Sequence, residues 1–112
     1  MNILEVSVEN IKESIEKYEW ILLDIYEEGD VLSDIASATM KGLVQNISSK
    51  IKIIKVSIEE FKKAYLNNLI PNIKYDGYPE ILLIRNGKLN VRIPCVCRVG
   101  KIVDILREKI TF

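Results

Sequence analysis

The sequence predicts an α/β fold in which a central mixed sheet is flanked by helices, in the order βαβαβαββα. Two observations predict it. Strand-length apolar runs alternate with segments whose apolar residues recur at helical spacing. Near the C-terminus two such runs are joined by Asn86-Gly87, the residues a two-residue hairpin turn requires. Crossovers of helical length make the first three strands parallel neighbours with right-handed connections, while the hairpin must be antiparallel. A sheet sandwiched between helices is the arrangement that buries both of its faces.

Each element follows from its residues. "ILEVS" (3–7) reads as a short strand. "VENIKESIEKYEW" then spaces Ile11, Ile15 and Tyr18 on one helical face, with Ser7 as the expected cap and Asn10 in the first turn. "WILLDIY" (20–26) is apolar but for Asp24, as a strand covered on both faces should be. Glu27-Glu28-Gly29-Asp30 interrupts it, and a helix over 31–48 is predicted with Leu32, Ile35, Ala36, Leu43 and Ile47 inward. "IKIIKVS" (51–57) is a third strand and "IEEFKKAYLNNLI" a third helix, stopped by Pro71. After the loop "PNIKYDGY" comes the hairpin "EILLIRNGKLNVRI". "GKIVDILREKI" closes the chain as an amphipathic helix with Ile102, Ile105, Leu106 and Ile110 inward.

Bulk properties narrow the function. At 112 residues the chain reads as a single domain, 1–112, with one core. Sixteen basic residues balance sixteen acidic ones, so no net field favours nucleic acid or an anionic membrane. No glycine-rich phosphate loop or basic-aromatic array is present. Histidine is absent, which removes the commonest general base, the commonest metal ligand and the Ser-His and Cys-His pairs. No apolar run approaches the ~20 residues of a membrane span, and the N-terminus lacks the pattern of a signal peptide. A cytoplasmic location, no cofactor and no metal are the expectations. Composition leaves no signal of oligomeric state.

The residues then become specific. "WILLDIY", running into the turn before the long helix, and "YPEILLIRNGKL" (78–89), a proline-led strand and Asn-Gly hairpin, resemble thioredoxin along the whole chain. The resemblance implies that the peptide bond before Pro79 is cis and that its backbone faces the turn at the start of the long helix. A proline at a strand's first position removes a donor where none is needed. The resemblance also implies that Asp24 is the family's buried acid, that Lys55 is its partner on the next strand, and that Tyr26 holds an aromatic position of the motif. A short insertion falls within "LIPNIKYDGY", beside the surface family members use to grip partners. Tyr75 and Tyr78 in it either form an exposed patch or pin the loop down.

The departure from the family decides the functional expectation. Where thioredoxins carry Cys-x-x-Cys, this chain reads Asp30-Val31-Leu32-Ser33. Thiol–disulfide exchange needs a thiolate and a resolving thiol, and neither Asp30 nor Ser33 is one. Asp30 reads instead as a helix cap. Asp24 is then a buried carboxylate with no thiol to serve, held by Lys55 or water, or else a raised-pKa group beneath a cleft.

Two classes of function compete. The first is a redox-inactive protein- or peptide-binding or assembly module. Its groove would be lined by Pro79, Glu80, Asp30, Ser33, Tyr78 and Cys95, and its partner would pair through main-chain hydrogen bonds. The second is an unconventional thiol–disulfide oxidoreductase using Cys95 and Cys97. The resemblance places Cys95 on the loop packed beside Pro79, and Arg98 or the last helix could lower a thiol pKa there. Residues two apart on a strand are ~6.6–6.8 Å apart, at the edge of the 4.4–6.8 Å a disulfide accepts. The bland reading makes both cysteines small, reduced hydrophobes. A zinc site lacks its third and fourth ligands.

Overall fold

The computed structural model of the chain describes residues 3–44, 49–74, 76, 79–94 and 98–110. The elements are β1 (Leu4–Val6), α1 (Ile11–Lys17), β2 (Trp20–Tyr26), α2 (Val31–Leu43), β3 (Ile51–Ser57), α3 (Ile58–Leu66), β4 (Glu80–Arg85), β5 (Lys88–Ile93) and α4 (Val99–Lys109). They form one five-stranded sheet in the order β1-β3-β2-β4-β5. β1, β3 and β2 are parallel, and β4 and β5 run antiparallel to their neighbours. The predicted element order and mixed sheet are present. One detail differs: β3 lies between β1 and β2, so the first two strands are parallel without being neighbours. No helix among the described residues is long and apolar enough to cross a membrane.

Two apolar layers sandwich the sheet. On one face Ile21, Leu23 and Ile25 of β2 and Ile54 and Val56 of β3 meet Ile11 and Ile15 of α1 and Phe61 and Ala64 of α3. On the other, Trp20, Leu22, Ile53, Ile81 and Leu83 meet Ala36, Met40 and Leu43 of α2 and Ile102 and Leu106 of α4. The continuous burial of β2 is what its apolar sequence demands of a strand covered on both faces. Each wholly buried aliphatic side chain contributes roughly 1.5–3 kcal/mol, so the two layers together hold the sheet ends in place.

The structure corrects three local expectations. Asn10, not Ser7, occupies the cap position of α1, and its Oδ1 accepts the Ser7 amide at 2.7 Å. α3 ends at Leu66, before Pro71 can act. Asn68 adopts φ 56°, and the Leu69 and Asn68 amides fold back onto the Ala64 and Tyr65 carbonyls. That double closure terminates a helix without help from proline. α2 ends at Leu43, and Ile47 lies outside the described residues. Its buried face is Ser33, Ala36, Met40 and Leu43, whereas Leu32 and Ile35 point outward. Ala36 and Leu43 are buried as the periodicity predicts, and the inward face is completed by Ser33 and Met40 rather than by Leu32 and Ile35.

The hairpin is as predicted. Asn86 and Gly87 take φ values of 50° and 78°, the paired left-handed geometry of a type I′ turn. Leu83 pairs with Val91 and Ile84 with Leu89, so Asn90 is an extra residue that bulges the edge strand.

Candidate functional site

The C-terminal ends of the parallel strands converge at one rim of the sheet. β2 ends at Tyr26 and β3 at Ser57, and Glu80 of antiparallel β4 pairs with Ile25. Pro79 therefore enters β4 beside the turn that carries the chain from β2 into α2. Such rims are where open α/β sheets place their ligands.

The turn itself is closed by its own side chains. Gly29 takes φ 82°, a conformation open to glycine, and lets the Asp30 amide donate to the Glu27 carbonyl at 3.1 Å. Asp30 Oδ2 accepts the Ser33 amide at 2.9 Å, and Ser33 Oγ accepts the Glu27 amide at 2.9 Å. Asp30 is the expected cap, its charge at the positive end of the helix. Ser33, expected on the groove wall, is 2% exposed, and its hydroxyl is committed to the turn. Neither residue contains sulfur, so neither can form or attack a disulfide.

Behind the turn a polar row crosses the sheet. Parallel register places Glu5 of β1 opposite Lys55 of β3, and Lys55 opposite Asp24 of β2, all three on the α2 face. Asp24 is 1% exposed, and neither carboxylate oxygen has a hydrogen-bond partner among the described residues. Burial pushes its pKa up to about 6, against the pull of Lys55 and of the nearby Ser37 hydroxyl. The expected Asp24–Lys55 pairing is not formed. Lys55 carries its Nζ 4.4 Å from the centre of the Tyr26 ring, a cation–π contact. The Tyr26 hydroxyl donates to Glu5 Oε2 at 2.6 Å, and that bond, with burial and the neighbouring carboxylates, pushes the phenol up to about 12. A cavity of about 170 Å³ lies over the row, lined by Asp24, Ser37, Lys55, Glu5, Met40, Lys41 and Ile3. A second, of about 250 Å³, continues it toward Ser33 and the turn.

On the β4 side the organiser is Arg92, which sequence reasoning missed. From β5 its guanidinium pairs with Glu80, donates to the Lys74 carbonyl, and lies 3.4 Å from Asp76 Oδ2. Glu80 is consequently held with its side chain only 14% exposed. Its expected place on the groove becomes that of a residue fixed by Arg92. The signal was present in the hairpin register, which sets Arg92 opposite Leu82, two positions from Glu80 on the same side of β4. Tyr78 and Cys95, expected in the groove, and Tyr75 and Cys97 lie outside the described residues. So does the Tyr78–Pro79 bond, and with it the cis geometry the resemblance implies.

No family model matches the sequence, and neither does any curated protein. A solved structure does: oxidised thioredoxin from Plasmodium falciparum superposes with a TM-score of 0.73 at 15% identity, over 96% of this chain and 98% of that one. The chain has the thioredoxin fold. Within that fold, the turn that leads into α2 holds an aspartate and a serine bonded to each other's segment. The buried acid makes no ion pair with Lys55, its neighbour in register, and Cys95 and Cys97 lie outside the described residues. What the thioredoxin fold retains at this rim is a rigid turn, a polar seam behind it and a clasped entry to β4.

Proposed function

We propose that this thioredoxin-fold protein is a redox-inactive binding or assembly module that receives an extended protein or peptide segment in the groove beside Pro79. The observation that carries the reading is the Asp30–Ser33 closure, in which both positions serve the backbone of the turn. Two further features support it. Arg92 fixes the approach to β4, and a preset approach lowers the ordering cost of binding. Main-chain pairing with an extended segment would then supply affinity that depends little on side chains. On this reading residues 1–112 act as one cytoplasmic unit without cofactor or metal.

The test is a titration of short extended peptides into isotope-labelled protein, followed by amide chemical shifts. Peptides that bind are expected to move the amides of residues 80–82, and Pro79→Ala to weaken them about tenfold, equivalent to 1.4 kcal/mol. Cys95→Ser should leave affinity unchanged. Reversible oxidation of Cys95 and Cys97 in the folded protein, with a thiol titrating well below ~8.5, would overturn the redox-inactive reading.

A further inference from the structure

α2 carries apolar side chains on the wrong side for folding. Val31 is 69% exposed, Leu32 49% and Ile35 41%, which makes this turn the home of three of the five large apolar side chains exposed among the described residues. Val31, Ile35 and the exposed Ala38 follow at i, i+4 and i+7, and Leu32 stands three residues before Ile35. Val31, Ile35 and Ala38 form one stripe on the side of α2 away from Ala36, Met40 and Leu43, and Leu32 lies beside it at the exposed start of the row that continues into Ala36 and Met40. Surface helices ordinarily carry charge there. Burying Val31 and Ile35 in the monomer is impossible without turning the helix and losing its core face.

The same turn is framed by one sign of charge. Glu27, Glu28, Asp30 and Asp34 fall within eight residues, and no lysine or arginine occurs from 27 to 40. None of Glu27, Glu28 and Asp34 pairs with a described basic residue, and Asp30 is committed to the Ser33 amide. Lys55 and Lys62 are the cations that share cavities with them, on the β3 side of the turn. In a chain with equal numbers of acids and bases, this concentration is local. An apolar centre with a charged rim is the anatomy of a protein interface. An acidic rim selects a basic partner by steering and repels anionic membranes and nucleic acid.

We propose that the outer face of α2, Val31, Leu32, Ile35 and Ala38 within its acidic frame, docks a partner segment bearing apolar side chains flanked by lysine or arginine. This rests on the binding-module reading and assigns its partner's chemistry: the face lies at the same rim as Pro79, so one segment can engage both.

Three short peptides with the same pair of leucines, flanked by lysines, by serines or by glutamates, test it. The lysine peptide should bind at least tenfold tighter than the glutamate peptide, shift amides of residues 31–38, and weaken as salt is raised. Leu32→Ser with Ile35→Ser, and separately Glu27→Lys with Glu28→Lys, should each reduce its affinity about tenfold. These side chains are exposed, so the unfolding transition should stay in place and report that the variants fold. Serine or glutamate peptides binding as well as the lysine peptide would overturn the partner assignment and leave the binding reading standing. Lysine-peptide shifts confined to residues 80–82 would overturn the face. No binding by any of the three would remove both. Concentration-dependent dimerisation abolished by Leu32→Ser with Ile35→Ser would overturn the proposal by making a second copy the occupant.

Discussion

Asp24→Val is expected to stabilise the protein above pH 6 and to take away a fall in stability that the parent suffers between about pH 4 and 6. The carboxyl's ordinary value is 3.8, and in the folded chain burial raises it to about 6. The native state therefore holds this proton more tightly than the unfolded chain does. Acid favours folding through this group: its contribution is most favourable below 3.8, declines as pH climbs through the folded value, and is level above it. The span between the two values is worth about 3 kcal/mol at 1.36 kcal/mol per pKa unit. Valine removes the charge, suits the strand, and packs among Leu22, Ile53, Ile81 and Met40 on the same face. Lys55 keeps its contact with the Tyr26 ring. Asp24→Asn should remove the same pH dependence but stabilise less, because its amide NH2 inherits a buried site where neither carboxylate oxygen is hydrogen-bonded and the Ser37 hydroxyl is the nearby polar group. Urea unfolding of parent and variants across this pH range reads the effect as a difference between curves, which cancels the surface carboxylates common to all. A difference that fails to grow as pH rises would show that Asp24 is solvated in solution.

The same residue shows what the sequence made legible. A carboxylate inside "WILLDIY" announces itself, since every neighbour on β2 must be buried for the strand to be covered twice, and the acid is buried with them. The hairpin and the capping aspartate were legible in the residues alone, because each is written in local residue types: Asn-Gly demands its φ angles, and Asp30 meets unpaired amides. Orientation and partnership were less legible. Hydrophobic periodicity places Ala36 and Leu43 inward correctly but also Leu32 and Ile35, since a pattern of apolar residues does not reveal that the buried face turns toward Ser33 and Met40. Lys55 sits opposite Asp24 in register, yet its long side chain has a choice among neighbours and settles over an aromatic ring. The hairpin register brings Arg92 toward Glu80, but its partners Lys74 and Asp76 lie 16 to 18 residues away, across a loop whose path no local rule gives.

That clasp supplies the second large effect. Arg92→Met is expected to cost about 2 kcal/mol and to loosen the approach to Pro79. The guanidinium meets three acceptors at once, and only its flat fork can serve the Glu80 carboxylate, the Lys74 carbonyl and Asp76 together. Removing it leaves Glu80 with a side chain 14% exposed and a charge without its partner. Breaking a buried pair from one side costs 3–5 kcal/mol, and the 29% exposure of Arg92 places this one at about 2. Methionine keeps the stem packed while removing the charge. Glu80→Gln should cost less, and the double variant less than the sum, with a coupling of about 1 kcal/mol or more. Amide exchange should quicken at Lys74 and Asp76 in Arg92→Met while the amides of β2 and β3 stay protected. If the peptide groove depends on a preset entry to β4, the variant also binds more weakly by the ordering it has lost, chiefly through a slower association. Additive costs in the double-variant cycle, with unchanged exchange at 74 and 76, would instead make Arg92 an ordinary surface ion pair and return the positioning of Pro79 to the strand alone.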